Sequence, residues 1–403
     1  MYSPKNILFP CASLILTDCL AAGEGLIAYN LLNFLGKSGH NLTVLAPQVK
    51  LQTAIYNAEI LALGDYEFFP APEEFQYLLR WRKYCKKVEK LFNNEFKNYE
   101  FDIIHYMMPV NINQSYSPIL KKPLIVGPVF HPWTDLKPEE YSFNEIILKK
   151  DFPIVGRIKN HIKRYLKKIN KEKFEKTLEF ADKIVVTLDC ARKFLPDKYQ
   201  NKIVKIPIGV DTYYFKPSAK LPDNNTILFL AYIVRRKGLE YLIQAINIIR
   251  RQIPDIKLLI VGDGPDKDFF IKQTDDLKLN DCIEFLPAAI HKDTINYFQK
   301  AQIYVLPSLC EPFGMSILEA MACGLPVIST NAGGPPEILG ERNKNLLVPP
   351  RNAEALAEKI MQLLFNYEKC KHIGFENREY VVRNFDWRII AAKYNKLYDE
   401  LCE

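Results

Sequence analysis

A chain of 403 residues is longer than one hydrophobic core usually supports, so two domains are expected. Hydrophobic residues make up 48% of the chain and charged residues 25%, a composition that excludes a disordered chain and a collagen-like repeat. The first apolar run, residues 7–16, contains Pro10 and Ser13 and is too short to span a bilayer. Asp18 follows where a secretory signal would have an uncharged cleavage region, so we expect a globular, cytoplasmic protein.

Cysteine and histidine form no ligand pattern in this sequence. The nine cysteines include no C-x-x-C pair, which disfavours both a disulfide framework and a zinc ribbon. The six histidines are spread along the chain, and no two have the spacing of metal ligands. We therefore expect reduced thiols, no metal and no cofactor.

The positive charge is concentrated in one stretch. The formal net charge is +7, and residues 148–180 carry eleven Lys or Arg against four acidic residues. This pattern is compatible with a solvated helix face, with contact to an anionic membrane surface, or with an anionic acceptor. No recognition motif accompanies the charge, so nucleic acid is not an expected partner.

Short apolar runs alternate with amphipathic segments along the chain. In chain order, the first series of predicted strands covers residues 6–8, 41–46, 101–106, 124–129, 183–188 and 203–207. The second series covers residues 226–233, 258–261, 283–286, 303–306 and 326–329. Two such series predict two doubly wound parallel sheets. A cluster of Pro, Asp and Asn at residues 217–225 places the joint near residue 217, and residues 387–401 read as a final helix.

Ligands of open α/β sheets bind beyond the carboxyl ends of the strands, so the loops there are the places to look. Arg235, Arg236 and Lys237 follow one strand and open a helix, which is a favourable anion site. Residues 262–265 read as a tight turn. Asp266 and Asp268 imitate a D-x-D metal motif, but their place in the first turn of a helix favours a structural interpretation.

The most specific stretch is residues 308–326, where a strand, a loop and a helix carry two carboxylates eight residues apart. Ser316 and Glu319 fit an S-x-x-E capping box, which would give Glu319 a structural role. The sequence predicts no structural role for Glu311, and Gly314 permits a close approach of the backbone. Residues 330–337 add a glycine loop whose amides could hold phosphate.

Together these motifs resemble glycosyltransferase family 4, whose E-x7-E motif matches Glu311 and Glu319. Residues 22–25, 35–44, 206–211 and 385–387 resemble other segments of that family. The resemblance implies a GT-B fold, in which two Rossmann-like domains face a central cleft and the C-terminal helix crosses back to the N-terminal domain. The domains would be residues 1–216 with about 387–403, which bind the acceptor, and residues 217–386, which bind the nucleotide-sugar.

The same resemblance implies a retaining, metal-independent transfer from a nucleotide-sugar, a UDP- or GDP-sugar, to a glycan, lipid-linked or small-molecule acceptor. The leaving phosphate would take the proton of the acceptor on the same face of the sugar. Catalytic roles fall to Glu311, Lys237 and His131, although a lone histidine after a strand is often structural. Further residues are implied in donor binding: Glu319, Phe313, Gly314, Met315, Ser316, Arg235, Arg236, Gly23, Gly25 and Leu286.

Three positions depart from the family pattern. Tyr232 stands where an arginine is usual, Ile208 replaces an asparagine, and Pro287 replaces a glycine. Two rival functions follow: a sugar-nucleotide epimerase of the same architecture, or a degenerate subunit that binds nucleotide without catalysis. The expected location is the cytoplasm, with peripheral contact at the inner membrane face if the basic stretch binds lipid.

Overall fold

The computed structural model describes residues 3–20, 23–64, 74–107, 115–132, 136–137, 140, 155–220 and 222–403. The chain forms two compact units. Unit 1 comprises Met1–Pro132, Lys150–Gly209 and Trp387–Glu403, and unit 2 comprises Trp133–Lys149 and Val210–Asp386.

Unit 1 is built on a seven-stranded parallel sheet. Over the described ranges, the strands of unit 1 as a whole are β1 Asn6–Phe9, β2 Ile15–Thr17, β3 Asn41–Ala46, β4 Gln48–Lys50, β5 Ala58–Ala62, β6 Ile103–Tyr106, β7 Leu124–Val129, β8 Lys183–Val186 and β9 Ile203–Lys205. The order across the main sheet is β5-β3-β1-β6-β7-β8-β9, and β2 pairs with β4 separately. The strands β6 and β7 are buried along their whole length, as expected for strands with helices on both faces.

The helices described in unit 1 before the C-terminal one are α1 Gly23–Lys37, α2 Glu74–Asn94, α3 Val155–Phe180 and α4 Asp189–Arg192. A 3-10 helix also covers Asp197–Lys202. The aromatic residues Trp81 and Tyr84 of α2 and Phe174 of α3 are fully or almost fully buried in one core. The Tyr84 hydroxyl donates to the Pro10 carbonyl oxygen at 2.8 Å, which satisfies the polar end of a buried ring.

The C-terminal helix, Trp387–Cys402, is part of unit 1. His40 Nε2 and Asn395 Oδ1 are 3.1 Å apart, and His105 Nδ1 lies 2.8 Å from the Tyr398 hydroxyl. Burial holds the pKa of His105 down at about 3, so this histidine is a neutral part of the core. The prediction that the final helix returns to the first domain is confirmed.

Unit 2 is built on a six-stranded parallel sheet. Its strands are β10 Thr226–Leu230, β11 Lys257–Val261, β12 Ile283–Leu286, β13 Ile303–Leu306, β14 Val327–Thr330 and β15 Leu347–Val348. The order across the sheet is β12-β11-β10-β13-β14-β15, which is the doubly wound order 3-2-1-4-5-6. The main sheet of unit 1 repeats this order and adds one strand at its end.

The helices described in unit 2 are α5 Leu239–Ile249, α6 Lys267–Asp276, α7 Ile295–Phe298, α8 Met315–Ala322, α9 Pro335–Leu339, α10 Ala353–Leu364 and α11 Tyr367–Asn384. Further 3-10 turns cover Arg235–Lys237, His291–Thr294 and Glu341–Leu346. The start of α10 follows from its sequence, because the Asn352 side chain accepts the Ala355 N–H at 2.8 Å. Leu356 and Ile360 then bury one face of the helix at helical spacing.

The chain passes from unit 1 to unit 2 between Gly209 and Val210. The Arg378 guanidinium holds the first residues of unit 2 in place, since it donates to the carbonyl oxygens of Thr212 at 2.7 Å and Phe215 at 2.6 Å. It also donates to the Ala322 carbonyl oxygen at 2.8 Å, at the carboxyl end of α8. One partly buried arginine of α11 thus ties the entry segment of unit 2 to α8.

Candidate functional site

The strand order of unit 2 reverses between β10 and β13, which are neighbours in the sheet but not in the chain. In doubly wound sheets ligands bind at this switch point, beyond the carboxyl ends of the strands. The loop after β10 carries the basic residues 235–237, and the loop after β13 carries Glu311. The two most suggestive motifs of the sequence therefore meet at the switch point of unit 2.

A glycine brings these two loops together. Gly238 follows the basic turn with a φ of 72°, a conformation that favours glycine. A Cβ atom at this position would lie 1.9 Å from the Pro307 carbonyl oxygen, so no larger residue fits against the end of β13. The Leu309 N–H also donates to the Arg236 carbonyl oxygen at 2.9 Å. The basic turn is thereby fixed against the loop of Glu311.

Lys237 and Glu311 form an ion pair across this junction. Lys237 Nζ lies 2.7 Å from Glu311 Oε2, and the Ser308 hydroxyl donates to the same oxygen at 2.8 Å. The side chains are only 16% and 7% exposed. A buried ion pair with an additional hydrogen bond depends strongly on both of its partners. The expectation that Glu311 has no structural role is therefore wrong.

The backbone of Glu311 is fixed as firmly as its side chain. Its N–H donates to the Ala332 carbonyl oxygen at 3.2 Å, and its own carbonyl accepts the Gly334 N–H at 2.7 Å. Between them Gly333 has a φ of 83°, and a Cβ there would lie 2.2 Å from the Glu311 carbonyl oxygen. The glycine loop after β14 therefore supports the Glu311 loop directly.

Glu319 does not take part in a capping box. Gly314, with a φ of 101°, occupies the N-cap position of α8, so Ser316 falls inside the first turn of the helix. The Ser316 hydroxyl lies 2.7 Å from the Tyr304 hydroxyl. Glu319 Oε1 instead lies 2.7 Å from His291 Nε2, and both side chains are largely buried. The capping prediction is corrected because glycine ends the preceding loop two residues before the serine.

His291 was not among the candidate residues of the sequence. Burial lowers the pKa of its imidazole, but the charge of Glu319 and the hydrogen bond to it outweigh burial and leave the pKa above its ordinary value. The signal that could have found it is its place in the loop after β12, at the same edge of the sheet as the other two loops. A lone histidine in a polar loop does not reveal a partner that lies 28 residues away.

The two arginines of the basic turn have different surroundings. The Arg235 guanidinium lies 4.0 Å from the centre of the Phe269 ring, a cation–π contact. The Arg235 N–H donates to Asp266 Oδ2 at 2.9 Å, and Asp266 immediately precedes α6. Asp268 lies in the first turn of α6 as predicted, whereas Asp266 lies just before the helix and holds the basic turn instead. Arg236 is partly buried beside the Glu311 loop, and Tyr232 is 57% exposed.

The remaining candidates of unit 2 lie at the same edge of its sheet. Leu286 ends β12, and its carbonyl oxygen accepts the Gly262 N–H at 3.3 Å. Phe313 is buried, whereas Met315 and Ser316 begin α8 with partial exposure. Among the described residues, no group of three or more His, Cys, Asp or Glu side chains is arranged to hold a metal ion.

The three candidates in unit 1 are described within that unit. Gly25 lies in the first turn of α1, where a Cβ would be 2.2 Å from the Ile15 carbonyl oxygen, so the glycine is needed for packing on β2. A Cβ at Gly23 would meet no atom within 4 Å. His131 follows β7, with Nδ1 2.5 Å from the Pro132 carbonyl oxygen and its ring 4.7 Å from that of Phe194. Their part in donor binding or catalysis stays a prediction.

Comparison with known sequences finds a matching family model within the second unit. Residues 211–380 match the family model Glycosyl transferases group 1. A subunit of the human phosphatidylinositol N-acetylglucosaminyltransferase is 33% identical over 198 residues, covering 49% of this chain and 40% of the relative. A GDP-mannose-dependent alpha-(1-6)-phosphatidylinositol monomannoside mannosyltransferase of Mycobacterium tuberculosis is 29% identical over 205 residues, covering 47% and 53%. The chain thus spans about half the length of the curated relatives it matches.

Solved structures extend the similarity to the whole chain. Sucrose-phosphate synthase from Thermosynechococcus elongatus has a TM-score of 0.71 at 23% identity and covers 99% of both chains. HepE from Anabaena, in complex with UDP and glucose, has a TM-score of 0.66 at 18% identity and covers 98% of this chain and 100% of that one. The fold is therefore the GT-B fold, with two Rossmann-like units. Within this fold, residues 211–380 of the second unit match the glycosyl transferases group 1 model.

Proposed function

We propose that this chain is a retaining hexosyltransferase that uses a UDP- or GDP-sugar and needs no metal ion. The observation that carries the proposal is the buried pair of Lys237 and Glu311 at the switch point of a group 1 domain. Two of the relatives and neighbours name nucleotide-sugar chemistry: one uses GDP-mannose and another binds UDP and glucose.

The geometry supports a specific division of work in donor binding. Lys237 ends the 3-10 turn that leads through Gly238 into α5, where an ammonium group adds to the anion affinity of a helix N-terminus. A donor diphosphate at this position would share the Lys237 ammonium group with Glu311. The Glu311 carboxylate would then accept hydrogen bonds from hydroxyl groups of the sugar. Glu319 keeps one carboxylate oxygen beside His291 and has a second for the ribose hydroxyls.

Charge stabilisation is the main catalytic requirement of this reaction. Negative charge grows on the diphosphate as the glycosidic bond breaks, and a fixed ammonium group stabilises that charge without a metal. In the retaining mechanism that the family resemblance implies, a phosphate oxygen of the leaving group accepts the acceptor's proton on the face from which it departs. No protein nucleophile is then required, and Glu311 orients the sugar while Lys237 stabilises the departing phosphate.

For the acceptor we propose a lipid-linked molecule reached at an anionic membrane surface. Two of the relatives are named for phosphatidylinositol-based acceptors. In α3 the apolar residues Ile162 and Tyr165 are 43% and 64% exposed, beside the exposed cations Arg164 and Lys168. An amphipathic helix of this kind can lie at a membrane interface. Within the described ranges, no helix is long and apolar enough to cross a bilayer.

The experiment that tests the proposal is incubation with UDP-glucose, UDP-N-acetylglucosamine and GDP-mannose, with and without EDTA, in the presence of phosphatidylinositol vesicles. We expect free nucleoside diphosphate and a glycosylated lipid whose anomeric coupling matches that of the donor. The Glu311→Gln variant is the control. An altered donor without free diphosphate would establish the epimerase, and nucleotide binding without turnover would establish the non-catalytic role. Loss of activity with EDTA would overturn metal independence.

A further inference from the structure

An open pocket of about 960 Å³ lies at the amino ends of the strands of unit 1. Asn6 is the first residue of β1 and Asn41 the first of β3, while Ala58 begins β5. All three residues line the pocket. The donor and acceptor chemistry of a doubly wound sheet belongs at its carboxyl ends, so this pocket is at the wrong end of the sheet to be part of that site.

Three asparagines that line this pocket form a chain of hydrogen bonds. The Asn57 amide donates to Asn41 Oδ1 at 2.9 Å and to the His40 carbonyl oxygen at 2.7 Å. The Asn41 amide donates in turn to Asn6 Oδ1 at 2.9 Å. Each link fixes the orientation of one amide and leaves donor capacity at the next, which ends at the Asn6 amide nitrogen. The pocket therefore presents a fixed row of amide groups.

An aromatic residue, Tyr99, also lines the pocket. Tyr99 is 54% exposed, yet its ring stacks on Phe101 at 6.0 Å between centroids and meets Phe96 edge-on at 5.4 Å. Phe96 and Phe101 are buried. A half-exposed aromatic ring that packs against buried rings is a rigid platform for a flat apolar face of a ligand.

The charge of the pocket excludes several ligand classes. Glu59 and Glu100 are both exposed and line it, and the described lining residues include no Lys, Arg or His. A phosphate or a nucleotide would be repelled by the two carboxylates. Carboxylates and amides together accept and donate hydrogen bonds to neighbouring hydroxyl groups, while the tyrosine ring covers the C–H face of a sugar ring.

We propose that this pocket is a second, non-catalytic binding site for a neutral oligosaccharide. Fixed amides, two hydroxyl-accepting carboxylates and an aromatic platform supply both the polar and the apolar contacts that a neutral glycan needs. The volume lies near the upper end of the roughly 300 to 1,000 Å³ of ligand pockets, which suits a short chain of sugars more than one ring. Because the pocket lies at the amino ends of the strands, and not at the carboxyl ends where the transfer site belongs, it is a separate site from that of the proposed transfer reaction.

The test is saturation-transfer NMR and titration of the full chain with maltotriose, mannotriose and triacetylchitotriose. We expect at least one trisaccharide to bind with a dissociation constant on the order of 1 mM. Tyr99→Ala should weaken that binding at least tenfold, whereas Tyr99→Phe should retain it. Glu100→Arg is an exposed change that places a cation in the pocket, and it should also abolish binding. This variant replaces Tyr99→Ala as the test if Tyr99→Ala lowers the melting temperature.

Two matched controls separate this site from others. Tyr213→Ala removes a tyrosine of unit 2 that is 81% exposed and should leave trisaccharide binding unchanged. Glu311→Gln alters the proposed transferase site and should also leave it unchanged, so the two proposals can fail separately. The proposal is overturned if no trisaccharide binds at about 20 mM. It is equally overturned if Tyr99→Ala and Glu100→Arg bind as wild type, or if spermine displaces the sugar as the tighter ligand.

Discussion

Individual side chains at the switch point of unit 2 are arranged in pairs that the sequence does not show. Lys237 and Glu311 are 74 residues apart, and His291 and Glu319 are 28 residues apart. Each carboxylate therefore has a cationic or hydrogen-bonding partner before any donor is bound. Substitution of one member of a pair therefore changes the environment of the other member. Experiments on these residues must take that effect into account.

The Lys237–Glu311 pair predicts that stability and activity can be separated. Removing one partner of a buried ion pair costs about 3 to 5 kcal/mol, and the 16% exposure of Lys237 favours the lower value. Glu311→Ala should therefore lower the free energy of unfolding by about 3 kcal/mol. The double variant Lys237→Met with Glu311→Gln should recover most of that loss while remaining inactive. Urea denaturation and kcat measure the two effects, and a Glu311→Ala variant as stable as wild type contradicts the pairing.

The His291–Glu319 pair predicts a pH dependence of stability. Because the folded-state pKa of His291 is raised, protonation of His291 stabilises the fold. The contribution is complete below the unfolded pKa of about 6.5 and is lost as the pH rises through the raised folded value. We expect the free energy of unfolding to fall as the pH rises above about 6.5, and this fall to be smaller in His291→Gln. Identical pH profiles for the two proteins would rule the pair out.

Tyr232 stands where the family pattern has an arginine, so we expect a neighbouring arginine to contact the diphosphate instead. Arg235 is held against Phe269, whereas Arg236 lies beside the Glu311 loop, so Arg236 is the better candidate to compensate at the diphosphate. Arg236→Ala should lower kcat/KM by at least tenfold, about 1.4 kcal/mol, with Arg235→Ala and Tyr232→Phe near wild type. A large loss confined to Tyr232→Phe would assign the phosphate contact to the tyrosine hydroxyl.

At the level of elements, α3 carries both the basic residues of the sequence and exposed apolar residues. Leu166 and Phe174 bury one side of the helix in unit 1, while Ile162 and Tyr165 remain exposed on it. The alternative of a merely solvated face does not require exposed apolar residues between the cations. The solvated-face and membrane hypotheses differ in their response to salt.

Vesicle binding distinguishes those hypotheses. Wild-type protein should sediment with phosphatidylinositol-containing vesicles at low salt and be released as the salt rises above about 0.1 M, where the screening length is about 10 Å. The double variant Arg164→Glu and Lys168→Glu should remain in solution, whereas Lys371→Glu, an exposed change in α11, should behave as wild type. Equal recovery with neutral and anionic vesicles would return α3 to the solvated-face interpretation.

At the level of the whole molecule, the buried strands could be predicted because their apolar runs are uninterrupted. The predicted ranges 41–46, 124–129, 283–286 and 303–306 agree with β3, β7, β12 and β13 at both ends. Edge strand β5 was missed because it is half exposed and lacks such a run, and β15 because it has only two residues. The failures at the site have other causes. The N-cap is Gly314 and not Ser316, whereas the partners of Glu311 and His291 lie far away in the sequence.

The position of the candidate contacts in unit 2 predicts which segments a bound nucleotide protects. The Lys237, Glu311 and Glu319 contacts all lie in unit 2, and the loops that carry them are joined by backbone hydrogen bonds. UDP or GDP at 100 times its dissociation constant should stabilise the fold by about 2.7 kcal/mol. Amide hydrogen exchange with and without nucleotide should show protection at residues 234–238, 308–316 and 330–334, while the amino ends of β1 and β3 exchange as before. Protection confined to unit 1 would remove the nucleotide from the switch point of unit 2 and with it the basis of the proposed transferase.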